Sequence, residues 1–273
     1  MNDKTPTDRP DPVIADLDSG RVRAAHPDAA AAGGWRADSA VQSAILGLFA
    51  DRETRTWDLG GAFRFRDRVG LPVKDLLASP EARAAQAAGK PWRIVPGGTT
   101  VRAGVYLAPG VTIMPPSYVN VGVWIGEGTM VDSHVLVGSC AQIGSRVHLS
   151  AAVQIGGVLE PAGHRPVIVE DEVFVGAQSA LLEGVLVKRA AVIGAGVILT
   201  GTSRLYDLVH DRVLVGTLEE PLVVPAGAVV VPGVRQARGE FAAANGIGLS
   251  TAGVVKYRDE RTDARVALQE ALR

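Results

Sequence analysis

Residues 101–155 read VRAGVYLAPGVTIMPPSYVNVGVWIGEGTMVDSHVLVGSCAQIGSRVHLSAAVQI. Counted in sixes from Val101, the marked residues are Val101, Leu107, Ile113, Val119, Ile125, Val131, Val137, Ile143, Leu149 and Ile155. The count breaks at Gly163-His164-Arg165-Pro166 and resumes at Val169, Val175, Leu181, Val187, Ile193 and Leu199. All sixteen marked positions are Val, Ile or Leu. The fifth residue of a hexad is small or β-branched, as at Val105, Val111, Val123, Thr129 and Val135. Glycine often follows the marked residue, as at Gly126, Gly138, Gly144, Gly156, Gly176 and Gly194. A six-residue period suits neither a helix nor an alternating sheet with turns every eight to twelve residues. It predicts a parallel β-helix of hexapeptide repeats, each hexad forming one side of a triangular coil. The aliphatic residue points inward onto its equivalents above and below, and glycine is expected to allow the tight corners. Sixteen hexads make a little over five coils, about 25 Å of prism at the spacing of paired strands. Residues 157–168 form a loop thrown out of one coil, where solenoids carry function.

Outward from this core, residues 1–92 read as a small, mainly helical domain, with 1–12 disordered. Asp38-Ser39 caps a helix with apolar Val41, Ile45, Leu48 and Phe49 on one side. A second helical stretch runs from Val73 to about Ala88, restarting at Ser79-Pro80. The β-helix occupies 93–234, with a hairpin at 203–217 turning near His210-Asp211 and one more hexad at 224–230. Residues 235–273 form a cap of a strand at 252–257 and an amphipathic helix from about Asp259, closing the open end of the stack.

Composition narrows the function classes. The chain of 273 residues is 47% hydrophobic but only 5% aromatic, with 32 glycines, which suits an aliphatic core built in small repeated units. Lys and Arg number 28 against 29 Asp and Glu, so no basic surface for nucleic acid is expected. A single cysteine excludes an intrachain disulfide framework and a cysteine-clustered zinc site. No apolar run is long enough for a membrane span, and the polar, proline-rich N-terminus lacks the apolar segment of a secretory signal. A soluble cytoplasmic protein is expected.

Several stretches carry a more specific signal: Arg-Ile-Val-Pro-Gly-Gly at 93–98, Gly-Thr-Met-Val-Asp at 128–132, Val-Gly-Ser-Cys-Ala-Gln-Ile-Gly at 137–144, Val-His-Leu-Ser at 147–150 and Ile-Gly-Gly-Val-Leu-Glu-Pro at 155–161. Together they resemble the tetrahydrodipicolinate N-succinyltransferases. The resemblance runs from about Arg93 to the end and more weakly upstream. It implies a homotrimer of left-handed parallel β-helices that moves a succinyl group from succinyl-CoA to the amine of opened tetrahydrodipicolinate. It implies no resident cofactor and no metal, with acyl-CoA as co-substrate and a small amino-dicarboxylate as acceptor.

Residue by residue, Arg93 matches the family's substrate-binding arginine, and a guanidinium suits a dicarboxylate through paired hydrogen bonds. Asp132 matches the family's active-site aspartate, placed to orient the acceptor amine or take its proton. Glu160, beside the ejected loop, either shapes the acceptor site or is structural. For the CoA phosphates, Lys188, Arg189 and Lys256 are the cofactor-binding candidates, with Arg258, Arg261 and Arg265 near them in the cap; each also reads as an ordinary surface charge. Cys140 reads as a small packing residue and His148 as a structural histidine, while His134 and His164 fall near the site without metal-ligand spacing.

The chain also departs from the family. Where the family has Met-Val-Asp-Thr-Trp, this chain has Asp132-Ser133-His134. Ala151, Ala152 and Gln154 stand where the family has glycines. The family's Gly-Ala-Arg-Ser-Glu becomes Gly176-Ala-Gln178-Ser-Ala180, so an arginine and a glutamate proposed as acid or base are missing, while Glu183 keeps a structural place. Three readings follow: the succinyltransferase with a variant site, a paralogue of the tabtoxin-pathway kind with another acceptor or acyl group, and a trimer that binds CoA or a metabolite without turnover.

Overall fold

The computed structural model describes residues 11–59, 63–158, 165–217 and 219–259. From residue 93 onward the chain winds as a triangular prism with three parallel faces. Face 1 stacks Thr100–Val101, Tyr118–Val119, Leu136–Val137, Gln154–Ile155, Ala180–Leu181 and Ile198–Leu199. Face 2 stacks Tyr106–Leu107, Trp124–Ile125, Gln142–Ile143, Ile168–Val169, Leu186–Val187 and Val223–Val224. Face 3 begins at Arg93–Ile94 and continues through Thr112–Ile113, Met130–Val131, His148–Leu149, Phe174–Val175 and Val192–Ile193 to Ala228–Gln236. The second residue of each two-residue strand is the marked aliphatic, and all sixteen are buried in one continuous core. The predicted register therefore holds around the whole prism.

The reason for the glycines differs from the expectation. Gly126, Gly138, Gly144 and Gly176 do not have a positive φ. A Cβ at Gly138 would lie 2.3 Å from the Gly157 nitrogen, and one at Gly126 2.5 Å from the Gly144 carbonyl carbon. These glycines are needed because the next coil's backbone leaves no room for a side chain. The left-handed corner lies two residues further on. Besides Gly104, Gly122 and Gly128, it holds His134, Cys140, Arg146, Ala152, Glu172, Gln178 and Ala190, all at positive φ. A side chain there costs about 1–2 kcal/mol of backbone strain per residue. Polar fifth-position residues tie successive coils together. Ser117 Oγ donates to the Asp132 carbonyl at 2.8 Å, Thr129 Oγ1 to Gly144 at 2.7 Å and Ser179 Oγ to Gly194 at 2.9 Å.

The N-terminal region is not mainly helical. Among its described residues it has three α-helices, α1 (Pro12–Asp18), α2 (Ser39–Ala50) and α3 (Pro80–Ala87), together with two antiparallel pairs: Ala25–Pro27 with Trp35–Ala37, and Thr54–Leu59 with Phe63–Arg68. The hairpin departs from the expected helical domain: its second strand alternates Phe63 and Phe65 with Arg64 and Arg66, but over only four residues. Asp38 caps α2 through Ala40 N–H and Val41 N–H at 3.0 and 3.1 Å, and Val41 and Ile45 are its buried residues. Ser79 caps α3, which is shorter than expected because Val73 bridges to Arg102 instead of starting a helix. Pro12 already belongs to α1 and Asp11 caps it, which corrects the disorder expected to residue 12; residues 1–10 lie outside the described residues. Ile14, Leu17, Val41 and Ile45 pack on Ala103, Val121, Cys140 and Val158, the corner between faces 1 and 2.

At the other end, Arg204–Asp207 and Arg212–Val215 form the hairpin. The strand Gly248–Tyr257 is longer than expected; it pairs antiparallel with Ala228–Gln236 and parallel with Arg204–Asp207, widening face 3 to ten strands. A boundary at 234/235 thus cuts through a strand. Buried Asp207 knots this cap by accepting from His210, Arg212 and Tyr257, each at 2.9 Å. Burial alone raises its pKa; the three hydrogen bonds outweigh that and hold the carboxyl far below the usual range. The terminal helix expected from Asp259 lies beyond the described residues, as do Arg261 and Arg265.

Candidate functional site

Face 3 and its corner with face 1 bring the two main candidates together. Arg93 opens the first strand of face 3, its N–H on the Val111 carbonyl at 2.9 Å and its side chain exposed. Two rungs along the same ladder, roughly 10 Å at the spacing of paired strands, Met130–Val131 ends at Asp132. The position after the inward aliphatic is where the chain leaves one face for the next, so the Asp132 side chain emerges at a corner.

Asp132 is held firmly. Its N–H donates to the Leu149 carbonyl at 2.9 Å and its own carbonyl receives Ser117 Oγ. Oδ1 accepts the Ser133 N–H at 2.7 Å. Oδ2 stands 4.0 Å from His148 Nε2 on the next coil, and the carboxylate is about one-third exposed, at 32%. The His148 ring is in turn set edge-on against Phe174, 5.0 Å between centroids. The site is therefore a carboxylate with one oxygen pinned by the backbone and the other facing an imidazole at the mouth of a corner. Ser117 was not singled out in the sequence; its signal is a serine at the fifth hexad position, where the aliphatic pattern is broken. His134 follows at the left-handed corner and is exposed, its N–H on the Pro116 carbonyl at 2.8 Å.

The remaining candidates fall elsewhere. Gln178 is a left-handed corner residue on the same edge as Asp132, two coils further along, and Ala180 follows it facing outward on face 1. Cys140 is fully buried, and burial pushes its thiol up to about 12, so it is a packing group with no thiolate at neutral pH. Glu183 accepts the Gly201 N–H at 3.2 Å, a structural contact. Glu160 and His164 lie outside the described residues.

Of the phosphate candidates, Lys188 Nζ donates to the Gly33 carbonyl at 2.7 Å and to Glu170 at 2.8 Å. Glu170 also accepts from Trp35 Nε1 at 2.9 Å. The structure gives Lys188 another task, pinning the N-terminal segment to face 2. Arg189 pairs with Glu172 at 2.8 Å and Lys256 with Asp259 at 3.2 Å, both at the surface. Such exposed pairs are weak enough to exchange partners. Among the described residues no three His, Cys, Asp or Glu side chains gather as metal ligands, and no helix is long and apolar enough to cross a membrane.

Comparison with known proteins points one way. A family model described as a hexapeptide repeat of succinyl-transferase matches residues 166–201. The 2,3,4,5-tetrahydropyridine-2,6-dicarboxylate N-succinyltransferase of Granulibacter bethesdensis is 43% identical over 257 residues, 94% of this chain and 86% of its own. The protein of the same name from Coxiella burnetii is 39% identical over 258 residues, again 94% of this chain and 86% of its own. Protein TabB of Pseudomonas amygdali pv. tabaci is 43% identical over a shorter stretch of 117 residues, 43% of this chain and 39% of its own.

Proposed function

The chain belongs to the 2,3,4,5-tetrahydropyridine-2,6-dicarboxylate N-succinyltransferase family, and from that premise we propose that it transfers the succinyl group of succinyl-CoA to the amine of the ring-opened tetrahydropyridine-dicarboxylate. The observation that carries this reading to particular atoms is the pair formed by exposed Arg93 and corner-held Asp132, on one face of one rigid prism. Arg93 takes an acceptor carboxylate through a forked, charge-assisted contact. Water adds across the ring C=N bond and the ring opens to a free amine and a ketone. The amine nitrogen attacks the thioester carbonyl carbon, Asp132 Oδ2 receives the proton that nitrogen loses, and the carbon–sulfur bond breaks. The departing thiolate leaves as CoA thiol once protonated. The chain's contribution is mainly positioning and proton removal. The Ser133 N–H orients Asp132 through Oδ1, and His148 stands 4.0 Å from Oδ2 on the next coil.

The acyl-CoA arm is long and amide-bearing, and grooves between the flat faces of neighbouring prisms suit it. The homotrimer belongs to this reading. Face 1 presents an outward row of Thr100, Tyr118, Leu136, Gln154, Ala180 and Ile198, with Leu136 and Ile198 among the exposed large apolar residues. A cytoplasmic location fits the same reading.

A second reading keeps the chemistry and changes the acceptor or the acyl group. It is favoured by Gln178 and Ala180, which leave that stretch of face 1 without the arginine and glutamate that the family resemblance predicts. One experiment separates the two: thiol release from succinyl-CoA and from acetyl-CoA, each with tetrahydrodipicolinate and with 2-aminopimelate. Fast release with succinyl-CoA and tetrahydrodipicolinate supports the first reading. No release with either acceptor, from a folded protein that binds CoA, replaces it with the second.

A further inference from the structure

The hairpin Thr54–Leu59/Phe63–Arg68 stands off from the first coil and leaves a cleft of about 480 Å³ against residues 94–100. That is the size of a small-molecule site. Neither Arg93 nor Asp132 lines it. Its walls hold three aromatic rings, those of Trp57, Phe65 and Tyr118, and two guanidinium groups, those of Arg66 and Arg102. The acid on the wall is Asp67, and Arg102 Nη2 already engages it at 2.6 Å. The lining is correspondingly positive, with two arginines against one aspartate, and Arg55 of the hairpin lies 3.4 Å over the Trp57 ring.

Two hydrogen-bond donors of the lining residues are buried without an acceptor, Trp57 Nε1 and Arg102 Nη1. Buried donors are rarely left unpaired, because each forfeits its bond to water and gains none in exchange. Both donors are on residues that line one cleft, both are N–H groups, and one is cationic. An acceptor that bears negative charge answers all three facts, and the rings answer an apolar body attached to it.

We propose that this cleft binds a small organic carboxylate, its apolar body between Trp57, Phe65 and Tyr118 and its oxygens taken by Arg102 and Trp57 after a small side-chain adjustment. Arg66 adds charge at the mouth. The segment that lines the cleft runs directly on from the strand Arg93–Ile94, so an occupant bears on the placement of Arg93.

The test is binding alone, on the full chain in its assembled state. The four tryptophans are labelled as 5-fluorotryptophan and followed by fluorine NMR, and Trp57→Phe identifies the Trp57 signal by its loss. Benzoate is the probe and benzyl alcohol its uncharged counterpart. The expected result is a saturable shift of the Trp57 signal with benzoate, at least about tenfold weaker with benzyl alcohol, as a bond to a charged group implies. Arg66→Gln, an exposed change that leaves the Arg102–Asp67 pair intact, weakens benzoate by about threefold or more. The proposal is overturned if the Trp57 signal is unmoved up to benzoate concentrations on the order of 10 mM, the weak end for so small a ligand. It is equally overturned if benzyl alcohol binds as well as benzoate. Competition with 2-aminopimelate then names the source: displacement assigns the carboxylate to the acceptor, and joint binding assigns it to a separate ligand.

Discussion

On face 2 the outward side chains meet the protein's own N-terminal segment. The Arg23 guanidinium lies 3.9 Å over the Trp124 ring and donates to Gln142 Oε1 at 3.0 Å, while Ala25 joins Ile168 and Leu186 in a buried cluster. Burial of Arg23 draws its pKa down to about 10, still protonated at neutral pH. On face 1 the outward positions beyond the hairpin are more open, with Leu136 at 38% and Ile198 at 62% exposed. The two faces share one interior and one register. The inward position answers to a constraint that every coil repeats, so it is uniform. The outward position answers to whatever covers that face, so it varies: the N-terminal segment covers face 2, while face 1 meets the hairpin only at its first rungs and leaves Leu136 and Ile198 exposed.

That contrast is open to attack in five places. Asp132→Asn, at the open edge, is expected to lower kcat by about 10²–10⁴-fold with no change in melting temperature; steady-state thiol release checks it, and undiminished turnover removes Asp132 from the mechanism. Leu149→Ala, in the core of the next coil where Leu149 stacks on Val131, is expected to cost about 2–5 kcal/mol of stability, because the column beneath every face is equally packed; denaturant unfolding measures it. Arg93→Ala should raise the acceptor KM about tenfold or more while the KM for acyl-CoA stays within about twofold. A parallel rise in both would show a loss of fold rather than of a contact.

Smaller effects are expected on the covered face. Lys188→Met removes the clasp on Gly33 and Glu170 and should destabilise by about 1 kcal/mol, as partly exposed pairs do, with turnover unchanged; faster proteolytic cutting within residues 19–37 reads it out. The same clasp carries a pH signature. Burial raises the Glu170 pKa, but hydrogen bonds from Lys188, Trp35 and the Arg189 N–H outweigh it and leave the carboxyl below its ordinary range. A depressed carboxyl stabilises fully above its unfolded value of about 4.3 and loses that contribution as the pH falls through the lower folded value. Amide exchange in the segment should therefore be flat from neutral pH to about 5, once corrected for its intrinsic rate, and accelerate only below that.

How far the amino-acid sequence discloses the molecule follows the same division. The prism was legible because Val101 to Leu199 repeat one demand sixteen times. The corner chemistry was half legible: glycine marked the corners, but whether it served φ or the lack of room depended on how near the next coil passes. The hairpin 54–68 and the clasp on face 2 were hidden, since Arg23, Trp35 and Lys188 make single contacts across long separations with no period to reveal them. In the site, Arg93 and Asp132 were visible through motif resemblance. Ser117 and the 4.0 Å approach of His148 became visible only when residues eighteen apart were stacked.

The two excursions of the chain obey an arithmetic of insertion. Val169 follows Ile155 by fourteen residues and Val224 follows Leu199 by twenty-five, yet each time the strand lands on face 2, as an uninterrupted hexad would have done. Extra length is therefore accommodated without turning the prism. A duplication of eighteen residues would add a whole storey and leave every later side chain on its own wall. A duplication of six would keep the aliphatic column intact and move every later wall on by a third of a turn. In this architecture the hydrophobic core tolerates either change, and only the surfaces that recognise other molecules can tell them apart.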